Sequence, residues 1–168
     1  MIASILLPDS DTLLFELLKL DTELKPHYPE GRLRDIAALR DITSVFLATN
    51  IFPLSGKMLD NPIRHNAIKL LDSAAKLLKK TSDDIHYAYY ANIPPLAQIY
   101  PHVDVAPYYN KVNRYQIFFD LTEDQTVIQH GGNATSNSIV WFDPSITHAF
   151  TNKSTTDTWR FVVFDIYK

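Results

Sequence analysis

Apolar residues recur at helical spacing through the first half of the chain and at strand spacing through the second, with the change near residue 83. LLFELLKL (Leu13 to Leu20) follows Asp11 and Thr12, either of which can cap a helix start. LRDIAALRDITSVFLA (Leu33 to Ala48) repeats its apolar residues every three or four positions and predicts a second amphipathic helix. Asn61-Pro62 opens a third, running to about Lys80, because proline suits a first helical turn. Its apolar stripe is Ile63, Ala67, Leu70, Leu71, Ala74, Leu77 and Leu78.

Beyond residue 83 the runs IHYAYYANI, AQIYPHVD, NRYQIFFDL, QTVIQH, SIVWFDP, THAFTN and TWRFVVFDIYK are short and rich in aromatic and β-branched residues. Gly-Gly, Asp-Pro and Asn-Lys-Ser separate several of them. They predict an all-β half, a sandwich or barrel. In the last run Trp159, Phe161 and Val163 point one way, and Arg160, Val162, Phe164 and Ile166 the other. Both faces are mostly apolar, so one lines an interior and the helices of the first half cover the other. The expected organisation is a single domain over residues 1–168, with 1–82 mainly a helical cover and 83–168 a β-sandwich core.

Composition narrows the chemistry. With 46 % hydrophobic and 21 % charged residues among 168, the chain reads as an ordinary globular domain. A net charge of -3 and a longest basic run of Lys79-Lys80 offer no nucleic-acid footprint. The absence of cysteine excludes disulfides, thiolate metal sites and cysteine nucleophiles. The first residues, MIASILLPDSD, lack a basic n-region and their apolar run is cut at Pro8, so neither a signal peptide nor a membrane span is expected. The expected location is therefore cytoplasmic, and the sequons at Asn133 and Asn152 count as chance.

Candidate chemistry starts at His102-Val103-Asp104. Residues two apart in a strand project from one face, so this imidazole and carboxylate can meet one cation. His148 follows a strand and a turn containing Pro144, and would complete two histidines and one carboxylate. That set, with three open positions, is the facial triad of non-haem Fe(II) oxygenases, where a co-substrate and dioxygen bind. Arg160, twelve residues after His148, sits in an apolar strand where a buried guanidinium needs an anionic partner. A dicarboxylate fits, through two parallel hydrogen bonds. A core acid such as Asp165 or Asp120 serves equally well. Arg114 precedes the apolar run Tyr115 to Phe119, placing a second basic group close to the same cavity. Tyr108-Tyr109-Asn110-Lys111 reads as a loop over its mouth, and His130-Gly131-Gly132 as a solvated turn.

The stretches PPLAQIYPHVD, NRYQIFFDL, IVWFDPSITHAFTNKS and WRFVVFDI, spanning about Ile93 to Asp165, resemble the aspartyl/asparaginyl β-hydroxylase-like Fe(II)/2-oxoglutarate-dependent dioxygenases. The most specific phrase is Phe142 to His148, similar to the Phe-Asp-x-Ser-x-x-His turn that leads into that family's distal metal histidine. The resemblance implies an α+β chain: a double-stranded β-helix (jelly roll, cupin-like) with N-terminal helices on one face. It implies Fe(II) at His102, Asp104 and His148, with 2-oxoglutarate and dioxygen as co-substrates. It casts Arg160 as the holder of the distal carboxylate of 2-oxoglutarate and Arg114 as a second co-substrate contact. Gln116 stands where the family often has histidine, a departure at the co-substrate. The implied activity is hydroxylation of an unactivated carbon in a small-molecule or peptide substrate, of peptidyl Asp/Asn or amino-acid type, with no nucleic acid or membrane partner. The competing readings are a non-catalytic binding module and a 2-oxoglutarate-independent cupin-like metal protein.

Overall fold

Strand-forming residues whose two faces are both apolar must be covered on both sides, and the computed structural model does so with two sheets and a helical layer. It describes residues 4–26, 42–49, 61–104, 107–128 and 135–168. The elements are β1 (Ser4–Leu6), α1 (Ser10–Leu18), β2 (Lys25–Pro26), β3 (Thr43–Thr49), α2 (Pro62–Leu77), β4 (Ile85–Ile93), β5 (Gln98–His102), β6 (Val112–Phe119), β7 (Gln125–Ile128), β8 (Ser138–Phe142), β9 (His148–Asn152) and β10 (Trp159–Tyr167). Among the described residues a seven-stranded sheet runs β1-β8-β6-β10-β4-β3-β2, and a three-stranded sheet runs β5-β9-β7. All the strand pairings given by the ladders are antiparallel.

β10 lies at the centre of the larger sheet, and its two faces feed two cores. Trp159, Phe161 and Val163 join Phe118, Phe142 and Phe150 between the sheets. Phe150 stacks nearly parallel on Phe161, with centroids 5.9 Å apart. Val162, Phe164 and Ile166 instead meet Leu13, Leu17 and Leu71 of the helical layer. Each such side chain contributes about 1.5–3 kcal/mol on burial. The alternation predicted for the last strand and its helical cover are therefore both present.

α2 begins where Asn61-Pro62 predicts, with the Asn61 side chain accepting from the Ile63 amide at 2.9 Å. Its buried stripe is Arg64, Ala67, Leu71, Ala74 and Ala75, while Leu77 is exposed. Ile63, Leu70 and Leu78 of the expected stripe pack partly buried against the same core, so Leu77 is its one exposed member. Arg64 does not break this face, since it pairs with Glu23 at 2.9 Å. α1 starts at Ser10, ahead of the expected Asp11 or Thr12, with Asp9 at the cap position.

One predicted element is wrong in kind. Thr43–Thr49, the end of the expected second helix, is strand β3 and pairs with β4 from Thr43↔Asn92 to Thr49↔Tyr87. Thr43 and Val45 are β-branched, and pairing with β4 outweighs the helical periodicity of the preceding residues. Three strands from the first 82 residues thus join the larger sheet, more β-structure than a mainly helical cover implies. The rest of that expected helix up to Asp41 lies outside the described residues, as do His130, Gly131, Gly132 and Asn133. Among the described residues no helix is long and apolar enough to cross a membrane.

Candidate metal centre

The β5–β9 pairing aligns His102 with His148, so two imidazoles project side by side, with centroids 4.2 Å apart. The chain delivers His148 through a turn that its sequence builds. The Asp143 carboxylate accepts from the Ser145 amide at 2.9 Å and from its hydroxyl at 2.6 Å. The same turn holds the first motif, because the Asp104 amide donates to the Pro144 carbonyl at 2.8 Å.

Each imidazole has one nitrogen fixed by the backbone. His102 Nδ1 lies 2.8 Å from the Tyr100 carbonyl and His148 Nδ1 lies 2.8 Å from the Ile146 carbonyl. A carbonyl only accepts, so Nδ1 carries the proton and Nε2 keeps its lone pair. Both Nε2 atoms face Asp104, at 3.6 Å from Oδ1 for His102 and 3.8 Å from Oδ2 for His148. The three donor atoms lie within 4.8 Å of one another. Ligands at about 2.1 Å from a divalent ion stand about 3–3.5 Å apart, so side-chain movements of about 1–2 Å close this set on a metal. Burial pushes the His148 pKa down, which favours the neutral form a ligand requires. His148 is buried, whereas the Asp104 side chain is 28 % exposed, so the centre opens on the carboxylate side. Donor types and orientation fit a divalent transition metal such as Fe(II).

Arg114 lies beside this cluster on β6. Its Nη1 is 3.3 Å from Asp104 Oδ2. Its Nε and Nη2 donate to the two oxygens of Asp165, at 2.8 and 2.9 Å. Asp165 is fully buried and also accepts from the Tyr108 hydroxyl at 2.8 Å. The Tyr109 ring packs on the guanidinium, 4.8 Å from centroid to carbon. Burial alone lowers the Arg114 pKa, but the Asp165 charge outweighs it and the net direction is upward, so the cation persists. Burial, with Asp165 adding to it, raises the Tyr108 pKa and keeps its hydroxyl a donor.

The structure brings His102, Asp104, His148 and Arg114 together, and it does not bring Arg160 to them. Arg160 points to the helix side of β10, with Val162 and Phe164. Its guanidinium ends 3.6 Å from Asp21 and 3.4 Å from the Thr158 carbonyl, and it lines a separate cavity of about 460 Å³ with Leu14, Phe119 and Asp157. The sequence set Asp165 beside Arg160 as a possible partner, whereas Asp165 in fact pairs with Arg114. Gln116, on the same face as Arg114, is buried with its Oε1 unbonded among the described residues.

No family model matches the chain, and no curated protein matches it. Solved structures do. A 2OG-Fe(II) oxygenase family oxidoreductase from Burkholderia pseudomallei superposes with a TM-score of 0.59 at 13 % identity, covering 92 % of this chain and 78 % of that one. A prolyl-4-hydroxylase from Pseudomonas putida gives 0.52 at 11 %, covering 100 % and 92 %. The fold is the jelly roll of these oxygenases. At such identities the likeness is one of architecture, and the case for chemistry rests on the side chains.

The sequence offers Asp165 only as a possible partner of Arg160 and Tyr108 only as part of a loop over the mouth, and neither as a partner of Arg114. The sequence marks Asp165 as a buried acid in need of a cation, but with Arg160 in the same strand and Arg114 in another it does not say which one pairs with it. The 108–111 segment was expected as a loop over the mouth. Pro107–Asn110 forms a short 3-10 turn whose tyrosines grip the Arg114–Asp165 pair.

Proposed function

We propose that this protein is a non-haem Fe(II)-dependent dioxygenase. The observation that carries the reading is the convergence of His102 Nε2, His148 Nε2 and the Asp104 carboxylate inside a jelly roll, with each imidazole's other nitrogen fixed by a carbonyl. Two neutral imidazoles and one carboxylate leave three facing positions open, the arrangement that suits activation of dioxygen. Fe(II) held there would supply the oxidising chemistry for hydroxylation of an unactivated carbon. The chain's own residues orient that set: the 143–146 turn presents His148, and the Pro144 carbonyl anchors the Asp104 backbone. We extend the proposal to a small-molecule or peptide substrate, in keeping with the aspartyl/asparaginyl β-hydroxylase-like stretches of the sequence.

2-Oxoglutarate is the co-substrate suggested by those stretches and by the fold shared with a 2OG-Fe(II) oxygenase. The described residues do not supply its distal anchor in the expected way. Arg160 faces the helices, and Arg114 is committed to Asp165 and Asp104. This favours a second reading, a metal-dependent jelly-roll enzyme that does not use 2-oxoglutarate.

One titration separates them. Anaerobic protein is loaded with Fe(II), 2-oxoglutarate is added, and the visible charge-transfer band is followed with His102→Ala and His148→Ala as controls. A band lost in both variants, with succinate released in air, supports the first reading. Metal binding without a band supports the second. No metal binding at all defeats both and leaves a non-catalytic module.

A further inference from the structure

Resting on the metal-centre reading, we propose that Asp165 and Tyr108 are positioning residues: they hold Arg114 so that its guanidinium fixes the orientation of the Asp104 carboxylate. The guanidinium has three nitrogens, and two are taken by Asp165 through parallel bonds at 2.8 and 2.9 Å. This fork fixes the plane of the guanidinium and leaves Nη1 outside it, and Asp104 Oδ2 accepts from Nη1 at 3.3 Å. With Oδ2 restrained, Oδ1 is left turned to His102 Nε2. Oδ2 stays on the side of His148 Nε2, 3.8 Å away, so the carboxylate would face a metal held between the two imidazoles.

Asp165 has a second task. A bare guanidinium this close to the centre would repel a divalent cation in a poorly solvated setting, and the buried carboxylate cancels that charge. Tyr108 adds a bond to Asp165 and ties the 107–110 turn to the same pair, while Tyr109 covers the guanidinium face. The unit runs from β10 through β6 to Asp104, and it contradicts a co-substrate role for Arg114.

Mn(II) binding to the otherwise metal-free full chain, measured by electron paramagnetic resonance and calorimetry, tests this without turnover. Wild type should bind and His148→Ala should not; if both bind alike, the metal-centre reading itself fails, independently of this proposal. Outer partners of metal ligands change affinity by about 10–100-fold. Asp165→Asn should weaken Mn(II) binding by at least about tenfold, and Tyr108→Phe by a few-fold in a variant that still melts cooperatively. Arg114→Lys should also weaken Mn(II) binding, because one ammonium cannot hold Asp165 bidentately and reach Asp104. If Asp165→Asn does not fold, Tyr108→Phe and Arg114→Lys decide the matter. Folded variants that bind Mn(II) as wild type does overturn the proposal. So does an Arg114→Lys effect confined to the KM for 2-oxoglutarate.

Discussion

Replacing Arg160 with methionine keeps the apolar stem and removes the charge, and two accounts of this residue give opposite results. As a co-substrate anchor it would hold the distal carboxylate of 2-oxoglutarate through charged hydrogen bonds of about 1.5–3 kcal/mol each. Losing even 3 kcal/mol raises a dissociation constant by about 150-fold. The structure gives another answer. Arg160 lies five residues before Asp165 on β10, about 17 Å along the strand, and on the opposite face of the sheet from Phe161 and Val163. Its contacts are an ion pair of 3.6 Å to Asp21 and a long bond of 3.4 Å to Thr158. The side chain is 30 % exposed, so this pair is partly screened and worth about 0–1 kcal/mol. Arg160→Met should therefore change the 2-oxoglutarate dissociation constant by less than about twofold, within the scatter of surface substitutions. It should lower the melting temperature by about 2–4 °C at most, as 1 kcal/mol does in a chain of this size. Asp21→Asn should give a similar loss of stability, and the double variant should show a coupling below about 1 kcal/mol. The assay is the anaerobic Fe(II) titration already described, paired with thermal melts. A tenfold or greater loss of 2-oxoglutarate affinity at an unchanged melting temperature would refute the placement of Arg160.

Three further outcomes are expected. Mn(II) at 100 times its dissociation constant should stabilise the protein by about 2.7 kcal/mol, and a chelator or His148→Ala should abolish the gain in thermal melts. Asn152→Ala should destabilise by about 2–4 kcal/mol in urea titrations. The Asn152 amide donates to the carbonyls of Ile93, Pro94 and Asp157 at 2.8–3.1 Å, all left without this donor by the change. Leu71→Ala, at a fully buried position between α2 and the sheet, should cost about 2–5 kcal/mol by the same measurement, and a loss under 1 kcal/mol would contradict the described helical layer.

How far the sequence reached was decided by what pattern can encode. Alternation along 159–166 separates two groups of side chains without any tertiary information, and both groups are found together as expected. It does not say which group faces the second sheet, and that is where the assignment of Arg160 failed. The parity that sets Arg160 with Val162 and Phe164 also sets it with the helices, because α1 and α2 cover that face. The metal set was legible because its parts are local. His102 closes β5 and Asp104 follows two residues on, just past the strand where the sequence placed both, and the 143–146 turn leads directly into His148. The Arg114–Asp165 pair was not, since its members lie 51 residues apart and meet only through the β6–β10 register, Asp165↔Arg114. β3 was misread for a related reason: its strand character comes from pairing with β4, whereas the preceding residues carry a helical period. Pairing across strands decides both cases. Asp165 is buried because Arg114 stands opposite it, and that long-range constraint gives the guanidinium one free nitrogen and one carboxylate, Asp104, to aim it at.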